Sequence, residues 1–595
     1  MNAETRICQN CQQKFVIEPE DFGFYEKIKV PAPTFCWLCR AQRRLAFRGE
    51  RRLYKRKSDF SGKEILSMYA PEATVKVYEK DIWLSDSWDP MKYARDVDFS
   101  KPFIQQVAEL IREAPLKNLN IVGNAPNSEY TNHITDPKNS YLVFNSNHPE
   151  DCGYSNGITF SKGCYDVSYA GKSEWCYQAF WINSCAHTIF SSHCEGSYDL
   201  MFCKDCVGCN NCIASVGLRN KQYHIFNEPY TKEEYEKKLK ALDLSSYKNL
   251  QELAKKARAF WLKFPNKYII GTHNNTVSGN YIEHSKNVKY SFLVREGENL
   301  KYCQYVQELP GSKDCYDYSI WGDNNRWVYE CCACGINTAN IKSCVFVMID
   351  AHDIEYSYAC SSSSDLFGCV ALQKKQYCIL NKQYSKEEYK DLVEKIKKHM
   401  DEMPYVDKRG CIYKYGEFFP AEISPFAYND SVAQEYFPLS REEILANGSQ
   451  WSEPLERDLK ITLSYKDLPD KINEVKDSIK DEVIGCEHEG KCEDGCTIAF
   501  RIIPDELDFY RTMKLPVPRQ CPSCRHWQRL QQRTSFRIWK RKCQCTGVAS
   551  ENQIYKNTAE HAHKAAHCPN EFETSYAPER PEIVYCEQCY QAEVA

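Results

Sequence analysis

Between residues 150 and 215 the pattern of apolar and polar positions fits no helix. Short β-prone runs alternate with Tyr, Asn, Ser and Asp, and cysteines recur at 152, 164, 176, 185, 194, 203 and 212. Runs this short bury little alone, so their regular spacing predicts the stacked coils of a β-solenoid, with thiols laddering inward and aromatics at the corners. Two steps would make one coil of about 18–24 residues. A second segment carries cysteines at 303, 315, 331, 332, 334, 344, 360, 369 and 378. Charged, helix-prone composition over 231–242 and 385–400, with Thr231 and Ser385 each three residues before a Glu, predicts helices opened by capping boxes. A further helix is predicted from Ser440, with Glu443 in the box and Gly448 as its stop. No run of about 18 apolar residues exists, so no membrane-spanning helix is expected.

Two internal repeats organise these elements. Residues 11–48 align without a gap to 496–533, with fifteen of 38 positions identical, too many for chance in one register. Cys11 matches Cys496, Cys36-x-x-Cys39-Arg40 matches Cys521-x-x-Cys524-Arg525, and Arg44 and Arg48 match Arg529 and Arg533. In the middle, Lys221-Gln222-Tyr223 running on to Lys232-Glu233-Glu234-Tyr235 recurs as Lys375-Gln376-Tyr377 and Lys386-Glu387-Glu388-Tyr389. Ser161-Lys162-x-Cys164-Tyr165-Asp166 recurs as Ser312-Lys313-x-Cys315-Tyr316-Asp317. The expected fold is multidomain and mainly β: a duplicated Cys-rich β-solenoid flanked by zinc-ribbon (treble-clef-like) modules, with short connecting helices. The expected units are an N-terminal zinc module with a basic stripe (1–90), a first solenoid segment (118–230), a helical connector (231–270), a second solenoid segment (271–381), a helix (382–402), a connector (403–482) and a C-terminal zinc module (483–595).

There are 33 cysteines, an odd number that argues against a complete disulfide framework. Met1 to Asn10 is polar and lacks the apolar core of a signal peptide, so a cytoplasmic protein is expected, whose cysteines are ligands or small buried residues. Cys8-x-x-Cys11 and Cys36-x-x-Cys39 supply two knuckles, the pattern of a tetrathiolate zinc site. The C-terminal copy offers Cys496, Cys521 and Cys524, with Cys486 or Cys492 as the fourth ligand. A third site is predicted from Cys543, Cys545, Cys586 and Cys589. They align to Ser58, Phe60, Glu79 and Ile82 and so are absent as a set from the first copy. About three Zn2+ ions are therefore expected, by the four-ligand rule. His561, His563, His567 and Cys568 lie in an insertion read as a polar loop. Cys203-x-x-Cys206-x-x-Cys209-x-x-Cys212 resembles an iron–sulfur run, but the second copy has Ser363 and Leu366 opposite its last two thiols.

Net charge is −4, yet each zinc module carries a basic stripe. Arg40, Arg43, Arg44, Arg48, Arg51 and Arg52 form one, with Lys55, Arg56 and Lys57 beyond. Arg525, Arg529, Arg533, Arg537, Lys540 and Arg541 form the other. Helical spacing would gather several on one face that attracts phosphate. The competing reading pairs them with acids on the central segment, where residues 120–227 hold nine acids against six bases.

No Walker loop, Gly-x-Gly-x-x-Gly, Gly-x-Ser-x-Gly or His-Glu-x-x-His occurs, and a fully ligated tetrathiolate zinc has no open position for chemistry. Phe24-Tyr25-x-Lys27-x-x-Val30-Pro31-x-Pro33-x-x-Cys36-x-x-Cys39-Arg40, the Lys-Gln-Tyr…Lys-Glu-Glu-Tyr element and Glu417-Phe418-Phe419-Pro420-x-Glu422-x-Ser424-Pro425-Phe426-Ala427-Tyr428-Asn429 resemble a family of zinc-ribbon/β-solenoid proteins of candidate phyla radiation (Patescibacteria) bacteria. The resemblance implies the fold and a bacterial cytosol, and brings no activity. The leading expectation is a zinc-stabilised nucleic-acid-binding protein, RNA or ribonucleoprotein before DNA. The rivals are a scaffold that binds proteins along the solenoid and an enzyme with a solenoid cleft. Burial of Arg40, Arg44, Arg525 and Arg529 in ion pairs would favour the scaffold, and a pocket around Asp166 or Asp317 the enzyme. Whether a small-molecule substrate exists is left open by the sequence.

Overall fold

The computed structural model describes residues 2–453, 460–492 and 495–594. It is multidomain and sheet-rich, with two stacks of parallel strands at its centre and a cysteine cluster in each terminal module. In the first stack, Asn132–Thr135, Phe144–Asn147, Asn156–Thr159, Ser168–Gly171, Phe180–Asn183 and Ser192–Glu195 pair in chain order, all parallel. Each register is offset by 12 residues, Asn156 facing Ser168 and Ser168 facing Phe180. Tyr198–Met201, Asn210–Ile213 and Gln222–Ile225 continue the same offset on a second sheet.

This offset corrects the expected length of 18–24 residues, and the reason is backbone conformation. Every third residue from His133 to Phe226 has a left-handed φ, so the chain bends after each three-residue side and lies alongside itself again after twelve. The interior follows the same rule. Every third residue from Cys152 to Ser215 is buried, and all are Cys, Ser, Ala or Thr except Ile158, Val167, Ile182 and Leu200. The interior is too narrow for larger side chains throughout. The serine hydroxyls also pin neighbouring levels: Ser155 Oγ donates to Gly153 O (2.9 Å) and accepts from Val167 N (3.1 Å). The thiols make the first of these contacts, Cys152 Sγ lying 3.2 Å from Glu150 O and Cys206 Sγ 3.6 Å from Lys204 O. A buried thiol here acts as a small apolar residue with a weak donor.

The second stack runs from Asn275–Glu283 to Lys382–Gln383 in one eleven-stranded sheet. Its registers include 13-residue steps, as Arg326 with Ala339 and Ala339 with His352. At Ile336–Asn337 and Ile349–Asp350 two left-handed residues stand side by side and accommodate the extra residue. The stacks meet through Tyr169 against Tyr305 and Trp181 against Tyr281, with ring centroids 5.7 and 4.7 Å apart.

Each stack ends in a capped helix. Thr231 and Ser385 accept from Glu234 N and Glu388 N, and those glutamates return the bond, opening Lys232–Leu242 and Lys386–Glu402. The Ser440 box opens Arg441–Ala446 in the same way. Removing the Ser385 hydroxyl (Ser385→Ala) should cost about 1 kcal/mol. Faster amide exchange at Glu388 and along the first turn of that helix would register the loss. The helices Phe103–Glu113 and Tyr247–Trp261 carry no such box; the second falls in the expected helical connector (231–270), and the first lies outside the expected elements.

The terminal modules share one plan: a short hairpin, a helix, then a helix that starts at the second Cys-x-x-Cys. In the N-terminal module these are Glu4–Ile7 with Lys14–Ile17, then Pro19–Ile28, then Trp37–Leu45. In the C-terminal module they are Ile484–Gly485 with Ala499–Phe500, then Pro504–Thr512, then Pro522–Leu530. The modules dock crosswise. Phe24 of the N-terminal module stacks on Tyr316 of the second stack (3.9 Å), and its counterpart Phe509 stacks on Tyr165 of the first (4.5 Å).

Candidate metal centres and the buried arginines

Cys8 and Cys11 bracket the turn of the first hairpin, Cys36 caps the helix Trp37–Leu45, and Cys39 lies in its first turn. The four sulfurs lie within 4.8 Å of one another, and no cysteine of the described residues is in a disulfide. Cys36 N–H donates to Cys8 Sγ (3.2 Å), and Asn10 Nδ2 donates to Cys39 Sγ (3.2 Å). Hydrogen bonds from Cys36 and Cys39 hold the Cys8 thiol far below its ordinary range. A backbone N–H and a side-chain amide aimed at sulfurs that converge on one point suit a thiolate-bound cation.

The second cluster is Cys486, Cys496, Cys521 and Cys524. Cys521 N–H donates to Cys486 Sγ at 3.2 Å, the contact that Cys36 makes with Cys8, and this identifies Cys486 as the fourth member. Cys492 lies 3.7 Å from Cys524 Sγ and groups with His488 at the edge of the same site.

The third cluster departs from expectation. It is Cys543, Cys568, Cys586 and Cys589, so Cys568 holds the place predicted for Cys545. Cys543 ends the strand Trp539–Lys542, and Cys568 stands three residues before its partner Glu571–Thr574. In the first copy, Ser58 ends Tyr54–Lys57 and Ser61 stands three residues before Glu64–Ser67. Ser61, not Phe60, is therefore the counterpart of a ligand, and Cys568 is its match beyond the insertion. In that copy Ser58 and Ser61 both donate to the carboxylate of Glu79, the residue opposite Cys586. Hydrogen bonds thus link the positions that a cation would link in the other copy. Cys545 instead groups with His561, His563 and Cys589, and His561 is buried, which corrects the reading of that insertion as a polar loop.

The basic stripes do not form the open faces expected of a phosphate-binding surface. Arg40, Arg43, Arg44, Arg48, Arg525 and Arg529 are buried. Arg44 Nη1 bonds Asp317 Oδ1 (3.0 Å) and Glu330 Oε2 (3.0 Å), its Nε bonds Ser319 Oγ (3.1 Å), and Arg40 Nη2 bonds Asp317 Oδ2 (2.8 Å). The other end repeats this on the other stack. Arg529 Nη1 bonds Asp166 Oδ1 (2.8 Å), its Nε bonds Ser168 Oγ (3.2 Å), and Arg525 Nε pairs with Asp166 Oδ2 at 2.8 Å. Arg43 joins Glu330 and Glu417, and Arg48 pairs with Glu50. Arg51 reaches Glu435 and Arg52 reaches Asp430. Arg533 donates to Tyr169 Oη and Glu435 O, and Arg541 to the carbonyls of Tyr576 and Ala577. Of the stripe residues from Arg40 to Arg52 and from Arg525 to Arg541, only Arg537 and Lys540 are exposed, with Lys55 and Lys57 exposed beyond the first stripe. A guanidinium fork suits carboxylate as well as phosphate, and acids of the stacks provide the match.

Asp166 and Asp317 are fully buried against these arginines, which leaves neither carboxylate open to a substrate. A cleft of about 810 Å3 opens nearby between the first stack, the helix Tyr247–Trp261 and the C-terminal module, with Lys204, Arg258, Arg519 and Arg580 on its walls. Cys203, Cys206, Cys209 and Cys212 are four successive inward positions of the stack and do not gather as one metal-sized group. Burial raises Cys185 to about 11 and Cys303 to about 12, which keeps these thiols protonated, whereas hydrogen bonds from neighbouring thiols lower Cys164 and Cys206. Among the described residues, no helix is long and apolar enough to cross a membrane.

No family model and no curated protein matches the chain. Among solved structures, one from Desulfovibrio desulfuricans G20, to which an acetyltransferase activity has been ascribed, is 10% identical. The match covers 50% of this chain and 83% of that one at a TM-score of 0.10, too low to carry an argument.

Proposed function

We propose that the protein is a zinc-stabilised binding scaffold, in which two thiolate modules clasp a duplicated, narrow β-solenoid that presents its flanks to a protein partner. The crosswise burial of Arg40 and Arg44 on Asp317, and of Arg525 and Arg529 on Asp166, carries this reading. The side chains most suited to phosphate are consumed in holding the molecule together. Zinc fits the all-sulfur clusters because a soft, tetrahedral, closed set is its structural site. The flanks are regular: Asn127, Asn139 and Asp151 hydrogen-bond in a ladder at 3.0 and 2.9 Å, and Asn324, Asn337 and Asp350 form another at 2.8 and 3.1 Å. Such ladders hold polar groups at fixed spacing at little entropic cost on binding.

The discriminating experiment is a salt series with bulk RNA and duplex DNA. The scaffold reading expects weak binding at low salt that is unchanged in the double variant Arg537→Glu, Lys540→Glu. Tight binding that falls steeply with salt and is lost in that variant would overturn it in favour of nucleic-acid recognition, RNA foremost.

A further inference from the structure

The insertion between Cys543 and Cys568 brings three potential ligands to a cluster that already has four. We propose that the C-terminal cysteines form a dinuclear site, with one cation held by Cys543, Cys568, Cys586 and Cys589, a second by Cys545, His561, His563 and Cys589, and the Cys589 thiolate bridging both. Each set of four ligand atoms lies within 4.8 Å of one another, and Cys589 belongs to both.

The histidines are oriented for this. His561 is buried, and its Nε2 lies 2.7 Å from Glu593 Oε1. Glu593 also accepts from Tyr555 Oη, Thr558 N and Thr558 Oγ1, so its carboxylate is a fixed acceptor. The His561 proton therefore belongs on Nε2, and the lone pair on Nδ1 points at Cys545 Sγ, 3.6 Å away. His563 has the opposite arrangement. Its Nδ1 lies 2.7 Å from Ala566 O and so carries the proton, leaving the Nε2 lone pair 3.3 Å from Cys589 Sγ. A carboxylate or carbonyl behind each ring, fixing the tautomer that frees the inner nitrogen, is the usual support of a histidine ligand. The sulfurs have donors as well: Asn557 Nδ2 and Gly547 N on Cys545, and Asn570 Nδ2 on Cys586. Both sets are complete with protein ligands, so the second cation is structural, folding the insertion against the helix Glu587–Val594. That helix also contacts the first stack, where Tyr590 Oη donates to Asp205.

This inference rests on the reading of the thiolate clusters as metal sites, and one experiment separates their fates. Native mass spectrometry of the full chain, reconstituted with zinc, should count four ions. Two in the C-terminal cluster join one at each of the others. Exchange for 113Cd should give two C-terminal resonances split by scalar coupling through the shared sulfur. His561→Ala should leave three ions and abolish the splitting. Three ions in the unaltered protein, or four without coupling between any pair, would overturn the bridged site. A count of zero would overturn the metal reading as a whole. Because the decisive count is made on the unaltered chain, failure of a variant to fold leaves the result intact.

Discussion

Asp166→Ala is expected to loosen the C-terminal module from the first stack by about 3–5 kcal/mol. The magnitude follows from what remains. Arg529 and Arg525 are buried, and Asp166 is the only carboxylate paired with Arg529 among the described residues. Burial already lowers the Arg529 guanidinium to about 10, so losing the aspartate leaves a charge the interior cannot solvate. Asp317→Ala should cost less, since Glu330 still lies 3.0 Å from Arg44 and 3.7 Å from Arg40. Amide exchange along Pro522–Leu530 would report the loss, while the metal content stays at its normal value. Breaking a buried pair costs more than removing it whole. The double variant Asp166→Ala, Arg529→Met, which leaves Arg525 paired with Glu506 (3.3 Å), should therefore recover much of the protection. Unchanged exchange in Asp166→Ala would show that the docking does not depend on these pairs.

The crosswise arrangement was partly legible before the structure. The repeats were visible because Cys36, Cys39, Arg40 and Arg44 recur as Cys521, Cys524, Arg525 and Arg529 in one register, and Asp166 recurs as Asp317. What no repeat reveals is that the N-terminal arginines reach the second stack and the C-terminal ones the first, because long-range pairing leaves no trace in local spacing. The stripe at 40–52 has the helical spacing that an exposed phosphate face would have, and burial reversed its meaning. The alternation of charge alone could not decide this, since the matching acids lie some 270 and 360 residues away.

The stacks were readable in kind and misread in period. Steps of 12 and 9 between cysteines share a factor of three, and that factor is the length of one side. The Cys-x-x-Cys-x-x-Cys-x-x-Cys run is this period filled by one residue type, a pattern that also mimics a cluster-binding motif. The third thiolate set failed for a different reason. An insertion divides the knuckle, so counting forward from Lys542 reaches Cys545, whereas counting back from Glu571 reaches Cys568. Aligning the second strand of each hairpin, Glu64–Ser67 with Glu571–Thr574, would have found it.

Metal removal should have the largest effect of all, because the terminal modules have little else to hold their first hairpins. Strands of four residues at Glu4–Ile7 and Lys14–Ile17, and of two at Ile484–Gly485 and Ala499–Phe500, are too short to persist unaided. A structural zinc site is worth about 10–16 kcal/mol of apparent free energy at neutral pH. A strong chelator should therefore release both modules while the stacks, pinned by backbone ladders, keep their protected amides. Acidification should act in the same direction, since each sulfur must shed its proton to bind and takes it back as pH falls. Single substitutions sharpen the contrast. Cys39→Ser removes a ligand and should expose the helix Trp37–Leu45 to exchange. Cys206→Ser places a hydroxyl where Ser155 and Ser215 already make the same contact to the carbonyl two residues back, and should change little. Because Arg40 and Arg44 sit on the helix that Cys36 caps, and Arg525 and Arg529 on the helix that Cys521 caps, loss of metal should also free the arginines from Asp317 and Asp166. Chelation would then expose the phosphate-seeking stripes that the folded molecule conceals. A stripped protein that keeps its modules docked and its amides protected would mean that packing against the stacks, and not metal, holds the ends in place.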